Sequence, residues 1–217
     1  MSEFDLHHVF ILVGNKALIA DRLQEIGLEE GVNRVHKGQG TANRKFNFSN
    51  GTLEFLYIHD EKEATTGAGK NLLLAERLKE PSASPFGVIV SPVTAKETHN
   101  HDNPFDGWTY QPDYFSPPWA FHVGENSSNI REPICFYMPQ FATDQQPNQT
   151  SDQKFSLISH IRIVTPSPLS NVLQRLNAIK RLTFESGDSH HMEIIFDNGK
   201  ENGSKDFRPG IPLTFIW

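Results

Sequence analysis

The chain is short of basic residues, sulfur and long apolar runs. Its 217 residues carry 20 Lys and Arg against 26 Asp and Glu, a formal net charge of -6 at pH 7. Nucleic acid and anionic membrane both select for a basic surface, so neither is expected as a partner. No stretch approaches the roughly 18 apolar residues of a membrane span, and the mean hydropathy is -0.47. The N-terminal MSEFDLHH has neither the basic nor the apolar region of a secretion signal, so a cytoplasmic location is expected. The one cysteine, Cys135, excludes an intrachain disulfide, and its setting PICFYM suits a buried structural thiol. There is no GxSxG elbow, dinucleotide fingerprint or HExxH. GAGKN at 67–71 lacks the first glycine and the hydroxyl residue of a phosphate loop.

Aromatics and prolines are plentiful, with 16 Phe and 14 Pro. Half of the prolines fall between Pro104 and Pro147, which predicts extended or looped chain there and helices elsewhere. The β-branched and aromatic run LHHVFILV predicts a strand over 6–13. Leu18, Ile19, Leu23 and Ile26 recur at helical spacing, and Gly27 supplies a stop. Strands are predicted over 33–37, 43–48 and 52–58, the last two joined by the hairpin signal SNG. The order is β-α-β-β-β.

That order returns near the C-terminus. LISHIRIVT predicts a strand over 157–165, and a helix over 168–179 follows with Leu169, Val172, Leu173 and Leu176 as its apolar stripe. Strands are predicted over 181–185, 191–196 and 211–217. Laid over the first copy, His160 falls on His8, Phe196 on Phe48, Asn198-Gly199 on Asn50-Gly51 and Leu213 on Leu53, with drifting offset. A diverged internal duplication accounts for this agreement.

A β-α-β-β-β module used twice, with LHHVFILV and ISHIRIV as paired first strands, resembles the vicinal oxygen chelate superfamily, which includes glyoxalase I and the extradiol dioxygenases. GQGTANRKFNFSNGTLEFLYI, ERLKEPSASPFGVIVSP and FDNGKENGSKDFRPGIPLTFIW resemble its glyoxalase-like domain proteins. The resemblance implies an α+β fold in which two βαβββ modules form an open, U-shaped mixed sheet with helices on the outer face. On this reading, 4–217 is one domain made of a module at 4–60, a connecting or cover segment at 61–154 and a module at 155–217. A homodimer is compatible with such folds.

The resemblance also implies a divalent metal (Fe, Mn, Ni or Zn) at the floor of a concave site. It places His8, rather than His7, at a ligand position, with Phe10 and Leu12 on the same strand face. Glu54, flanked by Leu53, Phe55 and Leu56, is a carboxylate that is costly to bury without a partner such as a metal. His160 is the ligand position of the second copy, whereas Thr214 stands where the first has Glu54. His8, Glu54 and His160 would form a facial triad open to substrate oxygens or dioxygen. Arg44, Phe46 and Arg162 are then candidates for holding a planar or anionic small molecule.

Other histidines and acids have plainer readings. Glu193 in SHHMEIIFDNG matches Lys45 in the overlay, which points both away from the cup. His190-His191 reads as a loop or strand edge, and His99-x-His101 as a solvated loop. Ten aromatics lie between Phe105 and Phe141, in a segment that either covers the mouth of the cup or wraps the outer elements. His122, in WAFHV, is its acid/base candidate. The expected function is metal-dependent chemistry on a small molecule with vicinal oxygens, of lyase, isomerase or dioxygenase type. The alternative is metal-free binding or sequestration in the same cup. Fold alone does not decide between them.

Overall fold

The computed structural model describes residues 3–94, 102–141, 143 and 154–217. Strand β1 (Phe4–Leu12) leads into a turn at Asn15–Ala17, then helix α1 (Ile19–Glu25). The helix starts later than its apolar spacing predicts, because Asn15, Lys16 and Ala17 all take positive φ. It stops where expected, with Gly27 at φ +95 just past its end, a backbone region open to glycine. Strands β2 (Val35–His36), β3 (Thr41–Phe48) and β4 (Gly51–Ile58) follow. Helices α2 (Glu61–Thr66) and α3 (Leu74–Lys79) lead to β5 (Phe86–Pro92). The proline-rich segment yields β6 (Gly107–Tyr110), β7 (Phe121–Gly124) and β8 (Ile134–Tyr137).

These strands form one eight-stranded curled sheet in the order β2-β3-β4-β1-β5-β8-β7-β6. It consists of two halves of identical connectivity. In each, the first strand runs parallel to the fourth, and the two first strands, β1 and β5, meet antiparallel at the centre. The C-terminal strands β9 (Ile158–Thr165), β10 (Leu182–Ser186), β11 (His191–Phe196), β12 (Ser204–Asp206) and β13 (Leu213–Ile216), with helix α4 (Asn171–Leu176) after β9, form a separate sheet. Its order is β10-β9-β11-β13-β12.

The fold class is thus the α+β, curled-sheet one expected, but the segments play different parts. The half-sheet that pairs with 4–60 comes from within the presumed connecting segment 61–154. Residues 155–217 build the second sheet instead. The reason is strand order. β9 pairs in parallel with β10, the next strand in the chain, whereas β1 pairs in parallel with β4. Repetition of β-α-β-β-β along a sequence does not fix which strands become neighbours.

The two sheets share one hydrophobic cluster. Val9, Ile11, Phe46, Phe48, Leu53, Phe55 and Val88 on the back of the large sheet meet Ile161, Ile163, Phe184, Ile194, Phe196 and Phe215. Helix α1 adds Leu23, and α4 adds Val172, Leu173 and Leu176. Each such side chain contributes about 1.5–3 kcal/mol when buried. A polar latch fixes the register between the sheets. Asn50, in the β3–β4 turn, donates from Nδ2 to Ile158 O (2.8 Å) and accepts from Ile158 N at Oδ1 (2.9 Å), so its amide acts as one more rung of backbone.

In the second half, the fully enclosed Arg77 of α3 donates to the carbonyls of Glu132 (2.7 Å), Ile130 (3.0 Å) and Ser127 (3.0 Å), which tethers the β7–β8 connection. Burial lowers its pKa to about 10. Among the described residues, no helix is long and apolar enough to cross a membrane.

Candidate functional site

The front of the large sheet curls around a cavity of about 380 Å³. Side-chain alternation decides what enters it. From β1 come His8 and Phe10, from β4 Thr52, Glu54 and Leu56, and from β3 Asn43 and Lys45. The parity expected for His8 and Glu54 is therefore found, and both line one cup. His7 joins them because a register irregularity between Leu6 and His8 turns two successive side chains inward.

The polar wall forms a connected set. His7 Nδ1 and His8 Nδ1 lie 2.8 Å apart, so one donates and the other accepts, and the two tautomers are coupled. Burial, reinforced by Arg181 and Lys45, lowers the pKa of His7 to about 4. Burial, followed by His7, Lys45 and His36, holds His8 well below the usual imidazole range. Both rings are thus neutral at pH 7. Asn43 Nδ2 donates to Glu54 Oε1 (2.9 Å). Burial raises the Glu54 carboxyl, outweighing the opposing effects of Lys45, Asn43 and Arg34. His36, lowered to about 4 chiefly by burial, has Nδ1 3.0 Å from Thr41 Oγ1. Gln39 donates to the same hydroxyl and accepts at Oε1 from Tyr110 (3.1 Å) and Tyr114 (3.2 Å).

The facing wall is hydrocarbon. Ile89 of β5, Phe136 of β8, Phe121 of β7 and Met138 project into the cup. Phe121 packs on Phe136 (ring centres 5.5 Å apart) and Phe115 on Phe121 (5.4 Å). Tyr114, Phe115 and Phe141 also line the cavity, so part of the aromatic segment covers the cup, while Phe105 belongs to the back cluster.

Several expected site residues lie elsewhere. His160 is on β9 in the second sheet, with Nε2 3.0 Å from Thr183 Oγ1. Arg162 pairs with Glu185 on that same sheet (2.7 Å). Arg44 points to the back of the large sheet, paired with Asp21 (2.7 Å) and Glu30 (2.5 Å), and Phe46 is fully buried in the back cluster. His122 is buried on the side away from the cup, stacked on Phe105 with Nε2 2.8 Å from that residue's carbonyl. Glu193 also belongs to the second sheet, opposite Arg162. His190 Nε2 contacts Ser82 O (3.2 Å), and the pair His99 and His101 lies outside the described residues.

Lys45 faces the cup, contrary to its overlay with Glu193, and Asn43, His36 and His7 line it as well. The hairpin held the signal for Lys45. With Phe48 opposite Gly51, the two-residue turn sets Lys45 directly opposite Glu54, and cross-strand partners share a face.

A metal does not fit this donor set. Without His160 the cup's candidate donors are His7, His8, His36 and Glu54, all on the first half of the sheet, while β5, β7 and β8 present Ile89, Phe121 and Phe136. Among the described residues, no three His, Cys, Asp or Glu side chains group closely enough to hold a metal ion.

No family model matches the chain, and no curated protein matches it. Among solved structures, it is similar to a hypothetical protein from Staphylococcus aureus at 12% identity, over 98% of each chain, with a TM-score of 0.58. Methylmalonyl-CoA epimerase from Mycobacterium tuberculosis aligns with 62% of this chain and 86% of its own, at 9% identity and a TM-score of 0.40. At such identities the likeness speaks of fold. The protein has an α+β fold of two paired half-sheets in one curled sheet, and its likeness to the vicinal oxygen chelate superfamily rests on the sequence resemblance. The glyoxalase-like subtype rests on the sequence resemblance alone.

Proposed function

We propose that this protein binds a small organic molecule in the cup of its large sheet. The observation that carries this reading is the division of the cavity, with hydrogen-bonding groups on the β1–β3–β4 wall and hydrocarbon on the β5–β7–β8 wall. A concave, mostly apolar pocket with a few convergent polar groups is the usual form of a small-molecule site. Metal-dependent chemistry on vicinal oxygens, implied by the resemblance, would need three donors grouped closely around one point, which His7, His8, His36 and Glu54 do not form. Binding without a metal is the reading we favour.

A second reading, proton transfer on the bound molecule, draws support from one feature. A carboxyl that burial raises and a neutral imidazole pair share one cup, so groups able to give and to take a proton lie side by side.

Calorimetric titration with the test compounds 2-naphthol and 2-naphthoate checks the site. Wild type should bind at least one of them saturably, and Thr52→Trp, which puts an indole into the cup, should lose that binding. Equal binding by both proteins would place the ligand elsewhere.

A further inference from the structure

Resting on the reading of the cup as a ligand site, we infer that its occupant is a small amphipathic anion, an organic acid whose carboxylate meets Lys45 and Arg34 while its hydrocarbon lies against Phe121 and Phe136. Acids outnumber bases by six. Among the described residues, Arg44, Lys79, Arg162, Arg181 and Arg208 each have a carboxylate partner. Lys45 and Arg34 line the cavity, and among the described residues neither takes part in an ion pair.

The carboxylate that could have neutralised Lys45 is Glu54, directly opposite on the hairpin. It is held by the Asn43 amide instead. Burial raises the Glu54 carboxyl, against the opposing effects of Lys45, Asn43 and Arg34.

Lys45 acts on the whole polar wall, since its charge is felt at His7, His8, His36 and Glu54. Arg34, at the mouth, is steadied over the Tyr114 ring (5.9 Å) and can present a planar fork to a carboxylate. The opposite wall brings no charge. Because the protein as a whole is acidic, any preference for anions must arise from these two side chains.

The test compares 2-naphthoate with its neutral counterpart 2-naphthol by calorimetry at low ionic strength. Naphthoate is expected to bind at least tenfold more tightly. The Lys45→Met/Arg34→Met double variant should erase that preference while keeping naphthol affinity within about twofold, which also shows that the variant is folded. Lys45→Arg should retain most of the preference, and added salt should weaken naphthoate alone. Equal affinity for the two compounds, or a preference that survives in the double variant, overturns the anion inference and leaves the cup as a ligand site. Binding of neither compound overturns both.

Discussion

The two halves of the large sheet have the same connectivity and opposite chemistry. In the first, β1, β3 and β4 present His8, Asn43, Lys45 and Glu54 to the cup; in the second, β5, β7 and β8 present Ile89, Phe121 and Phe136. Strand pairing depends on backbone hydrogen bonds and on the shared back face, so the front face was free to diverge without loss of the fold. A site whose two walls differ this much suits a ligand whose two ends differ. It does not suit an ion that needs donors from both walls. The halves also differ in how they are braced. The first is latched to the second sheet through Asn50, and the second is tied together by Arg77.

The sharpest way to break the second half alone is to remove that tie. Arg77→Met leaves the carbonyls of Ser127, Ile130 and Glu132 buried without a donor. Each unsatisfied group costs about 1–3 kcal/mol, partly offset by no longer burying a cation, so a net loss of about 4 kcal/mol is expected in urea unfolding. Arg77→Lys should recover only part of it, because an ammonium cannot fork among the separated carbonyls. A loss below about 1 kcal/mol for Arg77→Met would show that the connection holds without it.

The first half can be weakened by acid. His36 is buried and its folded pKa is lowered to about 4, first by burial and then by Arg34 and Lys45. A lowered histidine leaves stability intact above the unfolded value near 6.5. As pH falls below that, the unfolded chain takes up a proton that the folded chain refuses, and stability drops until the pH reaches the folded pKa. One group with this shift contributes about 3 kcal/mol across that window. His7, also lowered to about 4, acts over the same range. Unfolding free energies at pH 7, 6 and 5 should therefore fall less steeply for His36→Gln than for wild type. Identical slopes would mean that His36 is not the group responsible.

What the sequence revealed, and what it hid, follows the same division. Strand alternation grouped His8 with Phe10 on β1 and Thr52 with Glu54 and Leu56 on β4, because a two-residue period leaves no freedom once one residue is placed, and all five line the cup. It missed His7 because the irregularity after Leu6 interrupts that period, and no residue type there announces it. Arg44 and Phe46, whose overlay partners lie in the back cluster, are on the back of β3 and not in the cup expected of them. The turn between β3 and β4 fixed them independently through the pairing of Lys45 with Glu54. The second half-sheet was harder to see. β6, β7 and β8 have four residues each, separated by proline-containing stretches, and their apolar residues are not arranged in any long alternating run. His160 illustrates the remaining gap, since matched positions along a chain meet in space only if the strands pair alike.

The smallest expected effect concerns the donors that the second half lacks. A single metal site that binds the folded state, at a free concentration 100 times its Kd, adds about 2.7 kcal/mol. For a chain of this size that corresponds to a rise of roughly 5–10 °C in Tm. His8 and Glu54 face a wall of Ile89 and Phe136, and among the described residues no three His, Cys, Asp or Glu side chains group closely enough to hold a metal ion. Addition of Mn(II), Fe(II), Ni(II) or Zn(II) to chelator-treated protein should therefore move Tm by less than about 1 °C. A rise of several degrees that disappears in Glu54→Gln would show that the polar half holds a metal on its own, and the contrast between the two walls would then have to be read as one between a metal site and its shield.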